Sequence, residues 1–146
     1  MTGATIIAEP HRMALRVYYE DTDAAGMVYH ANYLKFAERG RTEMLRFLGF
    51  DHSRLREHPG IVFTVRRCSV EYRGAARLDD PLTVETRIDA VAGATLSLRQ
   101  MVCRGDEVLA DLDVLVACVG ENGRPRRVPA ELRAALANRA AAAPAT

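Results

Sequence analysis

Residues 29–48 form the longest stretch whose apolar positions recur at a helical period, and most of the sequence around it is patterned for strands. Tyr33, Ala37, Gly40, Met44, Phe47 and Leu48 share one face of this predicted helix, and Lys35, Glu38, Arg39, Glu43 and Arg46 share the other. At about 1.5 Å per residue it runs about 25–30 Å. Its inward face is small at Ala37 and Gly40. Small side chains there let a sheet press close to the helix backbone, despite a helix cost for Gly of about 1 kcal/mol. Gly49 marks the stop. The rest of the chain has to be a sheet that holds this helix.

Residues 14–19 alternate, with Leu15, Val17 and Tyr19 on one side and Arg16 and Tyr18 on the other, the period of a strand. Residues 51–60 are polar, carry two histidines and Pro59-Gly60, and read as a connecting loop. Extended patterning then continues almost to the end. Residues 61–67 and 69–72 make one long or broken strand; residues 81–90 set Leu82, Val84, Thr86 and Ile88 on one face; residues 95–103 repeat the alternation, and 108–119 are the most apolar. Turn signals separate them at 77–81, 92–93, 104–106 and 121–123, and short turns imply antiparallel neighbours in a meander. Pro129 opens a short Ala-rich helix with Leu132 and Leu136 on one side. Residues 1–13 read as a flexible leader and 140–146 as a frayed tail, leaving one domain over 14–128. The class is α+β. Partly apolar sheet edges point to association with a second copy.

Charge and composition narrow the partners. A net charge of +1, with 6% aromatics and no Trp, lacks the basic stripe of a nucleic-acid binder. The longest apolar run, 114–119, is far short of a membrane span, and residues 1–13 have no signal-peptide core. The three cysteines Cys68, Cys103 and Cys118 form no Cys-x-x-Cys pair, which suits a reducing cytoplasm; each falls in an apolar run as a small buried side chain.

The candidate chemistry lies between the first strand and the helix. Asp21-x-Asp23-x-x-Gly26 begins like a calcium loop, but position five is Ala25 and position twelve is Asn32, so the oxygen ligands run out and no metal is expected. Asp21 reads as a turn or cap residue. Asp23 has the same plain reading beside a functional one. Gly26 lets backbone approach a ligand, and the helix-start N–H groups near Tyr29 and His30 have no intrahelical acceptor. With the positive end of the helix dipole, such donors suit an oxygen that becomes negative in a transition state, and a carboxylate opposite them can attack or take a proton from water. His11, His52 and His58 sit in polar stretches at no metal-ligand spacing and read as surface residues.

The run from Arg16 through Asp23, Gly26, Tyr29 and His30 to Tyr33, followed by Glu38-Arg-Gly-Arg41-Thr-Glu-Met-Leu45, resembles hotdog-fold acyl-CoA thioesterases. It is most similar to the branch associated with the Tol-Pal envelope system, related to 4-hydroxybenzoyl-CoA thioesterase. The block from Val70 to Asp80 and the strand Leu115–Val119 agree, so the resemblance spans residues 14–128. It implies a hotdog fold, with a central helix wrapped by an antiparallel sheet of about five strands, paired as a homodimer or homotetramer with sites at the seam. Asp23 falls on the family's catalytic carboxylate, His30 on its carbonyl-polarising N–H, and Gly26, Val28 and Tyr29 on positions lining the thioester. The implied substrate is an acyl-CoA, the implied place the cytoplasm with peripheral attachment to the inner membrane admitted, and no cofactor is called for. Some relatives use basic residues near 91–95 for the CoA phosphates. This chain has none there, leaving Arg66, Arg67, Arg73 and Arg77 as candidates. Pocket depth rests on the packing of residues such as Met27, Phe63 and Met101. The alternatives are a non-enzymatic acyl-binding or scaffolding protein of the envelope and a hotdog hydratase or dehydratase, although the latter's catalytic His motif is not visible.

Overall fold

In the computed structural model, which describes residues 9–141, five strands form one antiparallel sheet in the order β1-β3-β4-β5-β2. The strands are β1 (His11–Arg16), β2 (Ile61–Tyr72), β3 (Pro81–Val91), β4 (Thr95–Arg104) and β5 (Glu107–Gly120). The helices are α1 (Asn32–Phe47), α2 (His52–Glu57) and α3 (Ala130–Ala141). The α+β class and the single long helix on an antiparallel sheet are as the sequence patterns require.

Why α1 can lie against the sheet is visible at Gly40. A Cβ placed there would stand 2.6 Å from Val84 Cγ1, 3.2 Å from Gln100 Nε2 and 3.2 Å from Thr86 Oγ1. Only a residue without a side chain lets the helix backbone come this close. Gln100 and Thr86 are fully buried, and Gln100 Nε2 donates to the Ala37 carbonyl (2.8 Å) and to Thr86 Oγ1 (2.9 Å), so the polar groups under the helix are paired. The inward face differs from the sequence reading at two places. Phe47, the last residue of the helix, is 65% exposed, whereas Phe36 and Leu45 are buried and widen the inward stripe on either side of Tyr33, Ala37, Gly40 and Met44. α1 packs on β1, β3 and β4, which leaves the β5–β2 half of that sheet face less covered.

Other expectations need correction. The leader ends earlier than residue 13, since His11–Met13 already pair with Val84–Thr86 as the start of β1; residues 1–8 and 142–146 lie outside the described residues. β1 ends at Arg16, and Tyr19 turns out to solvent in a short 3-10 turn, Tyr19–Asp21, instead of continuing inward. Residues 51–60 contain α2: Asp51 accepts the Arg54 N–H at its start (2.9 Å) and Leu55 anchors it in the core. The strands after α1 are not a simple meander either. β3, β4 and β5 are joined by hairpins, but β2 pairs with β5, so the 73–80 connection must cross to the far side of the sheet. The break foreseen in β2 is a register shift between Val65 and Arg67. Leu132 and Leu136 are fully buried, so α3 closes the core at the end of the chain.

Candidate active site

The 3-10 turn and the start of α1 bracket a tight loop. A bridge between Thr22 and Val28 closes it, the Asp23 N–H donates to the Met27 carbonyl (2.8 Å), and the Gly26 N–H donates to the Asp23 carbonyl (3.0 Å). Gly26 has φ of +80° and nothing within 4 Å of a Cβ, so glycine is needed here for its backbone angle and not for close protein packing. The loop is tied to the 73–80 connection: the Val28 N–H donates to the Ala76 carbonyl (2.9 Å) and the Ala76 N–H to the Tyr33 hydroxyl (2.9 Å).

Asp23 is exposed, and its Oδ1 accepts the N–H groups of Ala25 (2.9 Å) and Met27 (3.2 Å). The turn reading of this residue is therefore correct as far as Oδ1 goes. Oδ2 accepts from nothing among the described residues. Asp21 Oδ2 accepts the Tyr18 N–H (2.8 Å), which bears out its turn role.

The two N–H groups expected to be free at the helix start behave differently. That of Tyr29 donates to the Asp21 carbonyl (2.9 Å). That of His30 donates to no group among the described residues. Its peptide is nevertheless held, because the Tyr72 hydroxyl donates to the His30 carbonyl (2.9 Å). Burial, first, then the neighbouring Cys68 and Tyr33 push the Tyr72 phenol above its ordinary pKa. The His30 ring lies tilted against Tyr29 at 4.5 Å and meets Tyr72 edge-on at 6.2 Å between centroids. Asn32, nearly buried, donates from Nδ2 to the Asp21 carbonyl (2.9 Å) and fixes the loop to the first helical turn. What assembles is a carboxylate oxygen and an uncommitted N–H at two ends of one short, braced loop.

Each named position has its place. Asp23, Gly26, Tyr29 and His30 are exposed on this loop, whereas the Val28 side chain belongs to the core and its N–H is spent on Ala76. Sequence reading missed Tyr72, Tyr33 and Asn32 as supports. Tyr72 reaches His30 across 42 residues of chain, a contact no local pattern encodes. Of the arginine candidates, Arg73 is engaged with Glu71 (2.8 Å) and Asp111 (3.1 Å), while Arg66, Arg67 and Arg77 are exposed and form no ion pair among the described residues. The histidine reading needs one change, since His11 lies in β1 with its ring against Phe47. No group of three or more potential metal ligands occurs among the described residues.

A groove runs between α1 and the sheet, beginning in the first turn of the helix at Leu34. Its first part is lined by Leu34, Glu38 and Arg41 of the helix and Val65, Cys68 and Leu112 of the sheet. It leads into a cavity of about 230 Å³ beneath the second half of the helix, where Leu45, Phe63, Leu98 and Val116 meet. Phe63 lines this cavity. Met101 lies between inward-facing Gln100 and Val102 and so points from the other face of β4.

Comparison with known proteins agrees with this architecture. Residues 17–136 match the thioesterase-like superfamily. An acyl-CoA thioesterase, YbgC, of Haemophilus influenzae is 47% identical over 123 residues, covering 84% of this chain and 90% of its own. The acyl-CoA thioester hydrolase YbgC of Escherichia coli is 44% identical over 120 residues, covering 81% and 89%. The crystal structure of a probable thioesterase from Bartonella henselae superposes with a TM-score of 0.80 at 40% identity, covering 82% of this chain and 99% of that one.

Proposed function

Because the chain belongs to the thioesterase-like superfamily, we propose that it is an acyl-CoA thioesterase in which Asp23 and the His30 N–H act on one thioester carbonyl. The observation that carries this reading is the unspent pair on a single braced loop: the Asp23 Oδ2 and the His30 N–H, both without partners among the described residues. The two backbone N–H groups on Oδ1 fix the direction of the carboxylate.

With the thioester oxygen on the His30 N–H, the oxyanion formed on attack meets a hydrogen-bond donor and the positive end of α1. Asp23 Oδ2 serves in one of two ways. It attacks the carbonyl carbon, the C–S bond breaks, CoA leaves as thiolate, and water then cleaves the acyl-aspartyl anhydride. Alternatively it takes a proton from a water that attacks the same carbon. Both routes end in free acid and CoA and need the carboxylate in one place.

On the single chain this loop faces solvent, where hydrogen bonds and charges are weak. The proposal therefore includes a second copy. β2 is an edge strand of 12 residues with Val62, Val65 and Tyr72 exposed, and Tyr72 touches His30. A copy paired on that edge would shelter the helix start, making a homodimer, or a tetramer of two such pairs, the working unit. A cytoplasmic place and a link to the Tol-Pal envelope system belong to the same reading and rest on the resemblance of the two sequence blocks.

Thiol release from acyl-CoAs of several chain lengths tests the proposal. Release well above the blank rate is expected for at least one of them. Tight binding with release at the blank rate would instead favour an acyl-binding or scaffolding role.

A further inference from the structure

Arg41 is a charged side chain that lines both parts of the groove under α1 and has no role in the hydrolysis itself. Its guanidinium makes one hydrogen bond, from Nη1 to Gln100 Oε1 (2.9 Å), and forms no ion pair among the described residues. Nε and Nη2 donate to nothing there, so most of the five N–H donors of an arginine are unspent. Burial pulls its pKa below the ordinary value, with the charge of Glu38 opposing that shift. This is a partly desolvated cation, and it lines both halves of the groove.

The position is fixed. Gln100 is fully buried, and its amide nitrogen is spent on Ala37 and Thr86, so its oxygen can only face Arg41. Around the guanidinium the walls are apolar: Val65, Leu112 and Val114 on one side, Leu98 and Val116 further in. The other polar groups are satisfied or lie at the rim. Thr42 Oγ1 and His52 Nε2 bond each other (3.1 Å), and Lys35 and Glu38 are exposed. His30, Leu34, Glu38 and Arg41 succeed one another at i+4, i+4 and i+3, so the groove follows one helix face away from the His30 N–H. The axial rise from residue 30 to residue 41 is about 16 Å, less the reach of the arginine back toward the helix N-terminus.

From this we infer that the groove takes the acyl group and that Arg41 selects acyl chains carrying a carboxylate at the end remote from the thioester; the inference rests on the thioesterase reading above. The methylene chain of such a substrate lies against the valines and leucines, and its terminal carboxylate meets the free edge of the guanidinium in the two-point geometry arginine favours. A methyl-ended chain of the same length leaves that desolvated cation without its acceptor.

The test compares wild-type kcat/KM for succinyl-, glutaryl-, adipyl- and suberyl-CoA with the methyl-ended acyl-CoA of equal carbon number. At the length that spans the groove, the carboxylate-ended substrate is expected to be preferred by about tenfold or more, the worth of a charge-assisted hydrogen bond. Arg41→Met should erase that ratio, and Arg41→Lys should retain part of it. A preference for the methyl-ended substrate at every length overturns the inference on wild type alone, whatever the variants do. Should no acyl-CoA be hydrolysed, the hydrolase reading fails, and calorimetric affinities of the same pairs still decide the groove. Tighter binding of the carboxylate-ended partner upholds Arg41 as the selector, and equal or weaker binding refutes it.

Discussion

Tyr72 decides how firmly the His30 peptide is held. Its hydroxyl is the single side-chain donor on the His30 carbonyl among the described residues, and the residue is 44% exposed, so losing the hydroxyl alone removes an orienting contact and little packing. Tyr72→Phe is therefore expected to cost about 1 kcal/mol in the transition state, or about fivefold in kcat, with a melting temperature close to wild type. Steady-state kinetics beside a thermal melt check this. An unchanged kcat would mean that the helix start is rigid without Tyr72. At this scale the site was only half legible from sequence. Asp23, Gly26 and His30 stand within one short run whose spacing carries both the turn chemistry and the family likeness. Tyr72 and Ala76 reach the loop and the Tyr33 hydroxyl from 40 or more residues along the chain, and only the tertiary fold brings them there.

α1 carries the functional loop at one end and the groove along one side, and its closeness to the sheet comes from Gly40. Replacing Gly40 by Ala gains up to about 1 kcal/mol of intrinsic helix propensity but forces a Cβ to within 2.6 Å of Val84. Overpacking wins. A net loss of about 1–3 kcal/mol, read from urea unfolding, is expected, and a stabilised Gly40→Ala protein would contradict the packing described here. Small residues on the inward face of this helix were visible in the sequence, so the close approach was too. The burial of Phe36 and Leu45 was not, because the period fixes the direction of the apolar stripe but not how wide a strip of the helix the sheet covers. α2 escaped notice for a different reason: its six residues offer one buried anchor, Leu55, and too short a run to show a period.

The other end of α1 makes a pH-sensitive contact. His11 of β1 packs its ring against Phe47 (5.5 Å), and the Arg139 guanidinium of α3 lies 5.1 Å from the same ring. Burial, then the Arg139 charge, holds the His11 imidazole below its ordinary pKa, with Glu43 acting the other way. A folded-state value lowered in this way favours the neutral ring, so the stability it contributes is present above the unfolded value of about 6.5 and is lost as pH falls through the lower folded value. Melting temperatures measured from pH 7 down to pH 5 should therefore decline, and His11→Phe should flatten that decline. A wild-type curve already flat over this range would remove His11 from the explanation.

For the molecule as a whole, strand order matters more than strand count. The number and approximate limits of the strands follow from alternation and turn residues, but the pairing of β2 with β5 does not, since the 73–80 connection has no pattern that reveals where it leads. That pairing is what leaves β2 at the edge, beside His30. If a second copy completes the site there, specific activity and dimer fraction should fall together on dilution, as measured by sedimentation and thiol release on the same samples. Full activity in a monomer would detach catalysis from the β2 edge. Beneath all of these expectations lies one carboxylate. Asp23→Asn keeps an oxygen for the Ala25 and Met27 N–H groups, so the loop should survive the change while its anionic oxygen is lost. The most direct measurement is acyl-CoA hydrolysis by this variant beside wild type, at matched melting temperature. A rate reduced by about a hundredfold or more is the expected result, and hydrolysis at the wild-type rate would contradict the role given to Asp23.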